Sequence, residues 1–306
     1  MSDLLGQAGI GPPARPALID NGRAMLWMLL SATCIVAMSA MLKHVTQELP
    51  VMVVFFFRMA FAVPLVLPWV LRGGIRVLAT RRLGQHFVRG TVGALSMWCW
   101  VFAVKSLTLA TFTAISFTRP LWMPLTALVV LSEHVGWRRG ILILVGFAGV
   151  LIAARPELQA VDAALLVALL GGAVSSITMV QVKQLTRTEP SARIVFYFSL
   201  FGTLYAFPFA VIEWVSPNLP QLGWMLLSAV AAAAAQYSIA RAATIGEATA
   251  IAPVDFIQLP FAAFTGFAIF GELPDVFTFA GAVVILVATI ALTQEERRRR
   301  ARALNV

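Results

Sequence analysis

Long apolar runs alternate with short polar connections along this chain. Ten runs are about the length a membrane span requires: residues 24–42, 51–71, 87–105, 109–131, 138–154, 163–182, 193–214, 221–242, 247–270 and 275–293. No polar stretch between them is long enough for an inserted soluble domain. The predicted fold class is therefore an all-α integral membrane protein with ten transmembrane helices. Two of the runs are interrupted. The run 109–131 carries a charge near its middle, Arg119, beside Pro120 and Pro124, and 247–270 carries Asp255 between Pro253 and Pro260. A charge at membrane depth is costly unless it meets water or a partner. A proline inside a helix frees a carbonyl that something else must satisfy. Such helices are expected to line a cavity, with the four prolines as hinges.

The pattern repeats. At an offset of 140, Lys43, Thr46 and Pro50 fall on Lys183, Thr186 and Pro190, Phe56 on Phe196 and Pro68 on Pro208. At 139, Thr126 falls on Thr265 and Glu133 on Glu272. The matches include polar residues and proline, so they are not a by-product of shared hydrophobicity. They divide the chain into a first five-helix repeat at 24–155 and a second at 163–293, flanked by a disordered leader at 1–23 and a basic tail at 294–306. Five is odd, so the second repeat is expected to enter the membrane inverted. A shared site would then lie near the midplane where the halves meet.

Composition sharpens this picture. Apolar residues make up 60% of the chain and charged residues 12%, about half the charged fraction of a soluble domain, and mean hydropathy is +0.87. The net charge of +9 is not read as a nucleic-acid footprint, because the basic residues sit in connections and the tail. With the N-terminus in the cytoplasm, 17 Lys and Arg fall inside and three outside (Lys43, Lys105, Arg155), and Arg58, Arg89 and Arg119 lie within spans. This bias puts both termini in the cytoplasm. The leader lacks a secretory cleavage pattern, so a bacterial inner membrane is the expected location. Cys34 and Cys99 lie in apolar runs and the three histidines are far apart, so neither a disulfide, a metal site nor a cofactor is expected.

The two repeats, with fourth helices ending in Ser132-Glu133 and Gly271-Glu272, Arg58 in the second helix, and Gly146, Gly149 and Gly281 in the fifth and tenth, resemble the drug/metabolite transporter superfamily, specifically its EamA-type ten-helix branch. The resemblance covers nearly the whole chain. It implies a basket of helices around a central cavity, with the fourth and ninth among its walls, the fifth and tenth at the periphery, and transport by alternating access. Leu142 stands where the first repeat would carry the glycine matching Gly281, so the fifth helix is expected to pack differently.

The candidate substrate-binding residues are Arg119, Asp255, Gln258, Trp98, Trp100, Ser116, Gln236 and Tyr237. Arg119 and Asp255 could hold the carboxylate and ammonium of a zwitterion, or simply pair with each other. Asp255 is the natural proton carrier if transport is proton-coupled. Trp98 and Trp100 are two apart and cannot share a helix face. Ser31, Thr33, Ser39, Ser175, Ser176, Thr178 and Gln181 are expected to bond within or between helices. Glu133 and Glu272 oppose their helix dipoles and call for partners, Arg138 or Arg139 for Glu133.

The reading is a secondary transporter, most simply an exporter of amino acids or related small metabolites, working as a single chain in the lipid bilayer. The alternative is uptake of an aromatic vitamin or nucleoside-like cofactor such as riboflavin, with Trp98, Trp100 and Tyr237 as stacking surfaces. An integral-membrane enzyme would need a catalytic cluster, and a nucleotide-driven pump a P-loop. This sequence has neither.

Overall fold

The computed structural model describes residues 20–71, 78–131, 137–154, 163–185, 188–245, 254–273 and 275–304. Pro253, Glu133 and residues 1–19 of the leader lie outside this set, while residues 21–23 already belong to the first helix. Among the described residues there are eleven helices of eight residues or more. They are α1 (Asn21–Glu48), α2 (Val51–Leu71), α3 (Leu83–Ser106), α4 (Leu109–Ser116), α5 (Arg119–Leu131), α6 (Trp137–Ala154), α7 (Ala163–Leu185), α8 (Ser191–Ile212), α9 (Leu219–Ile245), α10 (Gln258–Phe270) and α11 (Val276–Leu304). Seven of them, α1–α3, α7–α9 and α11, are long and apolar enough to cross a membrane. This is an integral membrane protein.

The most extensive packing joins the first half of the chain to the second: α1 on α9, α2 on α8, α3 on α7 and α6 on α11, while α4 meets α10. The core between them is built from the inner faces of α1, α3 and α4, with Val36, Leu42, Val104, Leu109 and Phe112 buried together. The α6–α11 crossing is very close. A Cβ added at Gly281 would stand 2.4 Å from both the carbonyl oxygen of Gly149 and the amide nitrogen of Ala153, and one at Gly149 would stand 3.0 Å from the carbonyl oxygen of Gly281. Small residues allow such approach where lipid offers no hydrophobic drive for helices to associate. Leu142 is partly buried against Leu121, Ile143, Ala288 and Leu292, so α6 uses Gly146 and Gly149 for its close contacts and Leu142 for bulk.

Polar residues tie the helix ends together at both ends of α3. Near its start, Glu189 accepts hydrogen bonds from Thr80 Oγ1 at 2.7 Å and from Arg193, and His86 Nε2 lies 4.0 Å away. Burial works to raise the Glu189 carboxyl pKa, but the bonds from Thr80 and Arg193 and the charges of Arg193 and His86 outweigh it and hold it below the ordinary value. A carboxylate favoured in the fold stabilises above its ordinary pKa, and that contribution is lost as pH falls through the folded value. The thermal midpoint in detergent is thus expected to hold from neutral pH to about pH 4.5 and to drop as pH falls below it, and to drop less in Glu189→Gln. Equal pH dependence in the variant would remove Glu189 from this account.

At the other end of α3, one expectation is corrected and another is met. Lys43, assigned to an outer loop, is 6% exposed within α1, because α1 continues to Glu48. Its ammonium donates to the Leu107 carbonyl and pairs with Glu272. Glu272, at the C-terminal end of α10, has the partners that its position calls for. Gly271 ends α10 in the left-handed region at φ 67°, a conformation glycine adopts without a steric penalty. The turn carries the carboxylate to the start of α4, where it accepts the Leu109 N–H at 2.8 Å. There a negative charge complements the positive end of the dipole. Glu133 and its expected arginine partner lie outside this comparison, since Glu133 is not among the described residues.

Candidate functional site

Among the described residues, each interrupted span carries a tight turn. In the first, Thr118 N–H bonds to the Ile115 carbonyl at 2.9 Å and Leu121 N–H to the Thr118 carbonyl at 2.8 Å. In the second, Ile257 N–H bonds to Val254 and Leu259 N–H to Phe256, both at 3.1 Å. These are 3₁₀-type links. The breaks fall at Phe117–Thr118 and Phe256–Ile257, 139 residues apart, which is the offset of the repeat. The prolines explain their position. Pro120 and Pro260 occupy the first turn of α5 and α10, where a missing N–H costs nothing but the preceding turn cannot continue as a regular helix. They stand at the start of the second half-helices, directly after the breaks. Pro124 alone of the described three lies inside a helix. The Phe117 carbonyl at the break accepts from Thr289 Oγ1 of α11 at 3.3 Å.

The breaks face each other: the rings of Phe117 and Phe256 are 4.8 Å apart. The polar candidates stand around them in matched positions. Ser116 and Arg119 flank the first break, Asp255 and Gln258 the second. Gln258 Nε2 donates to the Asp255 carboxylate, and Gln258 itself is buried. Arg119 is exposed and makes no hydrogen bond or ion pair among the described residues. Arg119 and Asp255 lie within each other's electrostatic reach without forming an ion pair, so the simple structural pairing does not hold in this conformation.

A cavity of about 40 Å³ adjoins Arg119, lined also by Ser116, Trp100, Ser96, Phe112 and Ser175. Ligand sites usually measure about 300–1,000 Å³. The space takes a water or two, and the helices must separate to admit a substrate. Trp100 is the tryptophan that lines this cavity, edge-on to Phe112 at 5.0 Å. Trp98 points instead toward the α2–α3–α8 cluster with Phe55 and Met59. Gln236 and Tyr237 on α9 do not line it; both are exposed, and Tyr237 meets Trp27 of α1 edge-on. A larger space of about 500 Å³ between α1, α9 and α10 is almost wholly apolar, with Thr33, His44 and Thr265 its polar members. It contains none of the predicted binding residues. The other two intramembrane arginines lie away from the breaks: Arg58 meets Met38 Sδ at 3.5 Å, and Arg89 lies 4.4 Å from the Phe198 ring.

The hydroxyl set divides: Ser31 Oγ and Gln181 Oε1 are buried without a hydrogen-bond partner among the described residues, and Ser175 lines the cavity beside Arg119. Thr33, Ser39, Ser176 and Thr178 each bond to a carbonyl one turn back in their own helix. What sequence reasoning missed is Thr289, whose bond to a helix break has no local signature, and the Lys43–Glu272 junction.

The model of the EamA-like transporter family matches residues 22–155 and again 162–294. An S-adenosylmethionine uptake transporter of Rickettsia bellii is 28% identical, covering 89% of this chain and 94% of that protein. A pseudopaline exporter of Pseudomonas aeruginosa is 28% identical over 92% of this chain and 98% of its own length. A riboflavin transporter of Vibrio cholerae is 27% identical, over 92% and 96%. A crystal structure with 15% identity superposes over 90% of this chain and 98% of that one with a TM-score of 0.60, a likeness of fold.

Proposed function

The chain belongs to the EamA-like transporter family, and from that premise we propose that it is a secondary transporter of small metabolites bearing an α-amino-acid group, of the chemistry of S-adenosylmethionine. The observation that carries this reading is the meeting of the two helix breaks. Opposite charges, Arg119 and Asp255, flank them without pairing, and aromatic faces stand beside them. A zwitterion satisfies both charges at once: Arg119 takes the carboxylate in its planar fork, and Asp255, held by Gln258, takes the ammonium. Trp100 and the facing phenylalanines provide an apolar wall for a flat group such as a purine. Ser116 supplies a further hydroxyl.

Among the named relatives, S-adenosylmethionine carries both an amino-acid end and a flat base. None of those named above is called an amino-acid exporter, so we move from export of free amino acids to an amino-acid-bearing metabolite. No catalytic role is assigned to any residue.

We further read the molecule as ten spans in two inverted repeats, 24–155 and 163–293, with both termini in the cytoplasm of a cell with an inner membrane. The helix pairing supports this. Exchanging the halves turns α1–α9 into α7–α3 and leaves α2–α8 and α6–α11 unchanged, as a two-fold relation requires. One chain then holds both halves of the site. A site that is nearly closed, at about 40 Å³, supports alternating access. Asp255 carries the proton if a proton is coupled.

The test is transport by purified protein in proteoliposomes, offered S-adenosylmethionine, a mixture of amino acids and riboflavin, each with and without a pH gradient. Movement of the amino-acid-bearing compounds is expected, and Asp255→Asn is expected to abolish any dependence on the gradient. Transport of riboflavin alone would sink the clamp. An unchanged pH profile in Asp255→Asn would remove its role as proton carrier.

A further inference from the structure

We propose that the junction of Lys43, Glu272 and the start of α4 is a latch that closes the substrate path on the side of the membrane where α1 ends, and that transport requires it to open. The proposal rests on the transport reading above. The junction crosses between the halves: α1 and the α3–α4 turn come from the first, the α10–α11 turn from the second. Lys43 bonds to the Leu107 carbonyl and pairs with Glu272, whose other oxygen receives the Leu109 N–H. The helices on this side cannot part while these contacts stand.

Each contact is of a kind that water can replace. Closed, the pair is shielded, with side-chain exposures of 7% for Lys43 and 16% for Glu272. The attraction between buried opposite charges is nearly offset by the cost of drying them. Such a junction holds the closed state without locking it, and small differences in binding can then shift the balance. A purely structural strap would gain more from apolar packing.

The surroundings are shaped for this carboxylate. A Cβ at Gly266 would lie 2.8 Å from Glu272 Oε2, so any side chain there would displace it. Gly271 makes the turn that brings it round. The latch also reaches the site directly. It grips the first residue of α4, an eight-residue helix that ends at the break before Arg119. Arg119 lies about 15 Å further along the chain at helical rise. Release of α4 at one end is therefore felt at the arginine on the other.

The experiment reads accessibility, not transport. In a Cys34→Ala, Cys99→Ala background, Ser116→Cys reports on the cavity beside Arg119. A membrane-impermeant maleimide is applied to right-side-out and to inside-out vesicles. Glu272→Gln and Lys43→Met are expected to speed labelling severalfold from the side where α1 ends. Glu48→Gln, whose carboxylate meets Gln221 on that same side, is expected to leave it unchanged. Unchanged labelling in both latch variants would overturn the proposal. Should Glu272→Gln fail to reach the membrane, Lys43→Met, which leaves the carboxylate on α4, still decides. Failure of both to accumulate would make the junction a folding element and likewise overturn the latch. A wrong substrate assignment leaves labelling untouched, so the two readings fail separately.

Discussion

Arg119→Ala is expected to reduce transport by on the order of a hundredfold while the protein still accumulates in the membrane. The two halves of this expectation come from the same observation. Arg119 is exposed beside the first break and has no hydrogen-bond or ion-pair partner among the described residues, so no polar contact of the fold is lost on truncation. Removing a charge from membrane depth, if anything, relieves a cost. The substrate loses a charge-assisted bond, typically about 1.5–3 kcal/mol, and each 1.4 kcal/mol is about tenfold in affinity. Arg119→Lys keeps the charge but not the planar fork, and is expected to recover only part of the activity. The check is initial uptake rate in proteoliposomes at matched protein content. Full activity in the alanine variant would take Arg119 out of the site.

Gly281→Ala is expected to be the most damaging small substitution for stability. The added methyl would stand 2.4 Å from the Gly149 carbonyl oxygen and from the Ala153 amide nitrogen, and 2.6 Å from the Ala153 Cβ. Two of these neighbours are backbone and cannot turn aside as a flexible side chain would. Overpacking of this kind costs about 1–3 kcal/mol, and a branched residue more. Gly140, on the same α6, is the control: a Cβ there meets nothing within 4 Å, and Gly140→Ala gains helix propensity of up to about 1 kcal/mol. Thermal unfolding in detergent should separate them, with Gly281→Ala several degrees below the parent and Gly140→Ala at or above it. Equal midpoints would mean that α6 and α11 do not cross as closely as described.

Most helices were legible because a bilayer imposes length and hydropathy on every span. The breaks were half legible. Pro120 and Pro260 marked the right segments, but a proline disrupts the turn before it, so the interruption falls at Phe117–Thr118 and Phe256–Ile257 and the prolines stand at the helix starts that follow. Lys43 was misjudged because a lysine near the end of an apolar run looks like a loop residue. Its partner Glu272 lies 229 residues away in the sequence, and no local pattern announces the pairing.

Within the candidate site, Arg119, Ser116 and Trp100 came together around one cavity, and Asp255 and Gln258 paired at the facing break. Gln236 and Tyr237 did not join the cavity. Their helix α9 is rich in alanine, and lipid is as apolar as a packed core, so composition does not say which face of such a helix turns inward. Polar residues on a featureless helix are easily mistaken for cavity lining.

The facing breaks have a consequence that is best put as a history. Two copies of one family unit keep whatever shape lets them cross, because a break lost from one copy would leave its counterpart without a partner. The side chains beside the breaks carry no such duty and are free to diverge. Here they have: one copy holds serine and arginine where the other holds aspartate and glutamine. A site made of two identical copies would present the same sign of charge twice, and would suit a symmetric dianion or dication. The two copies have divided the labour, one cationic and the other anionic, and under the proposed reading a molecule with unlike ends would enter in a single orientation.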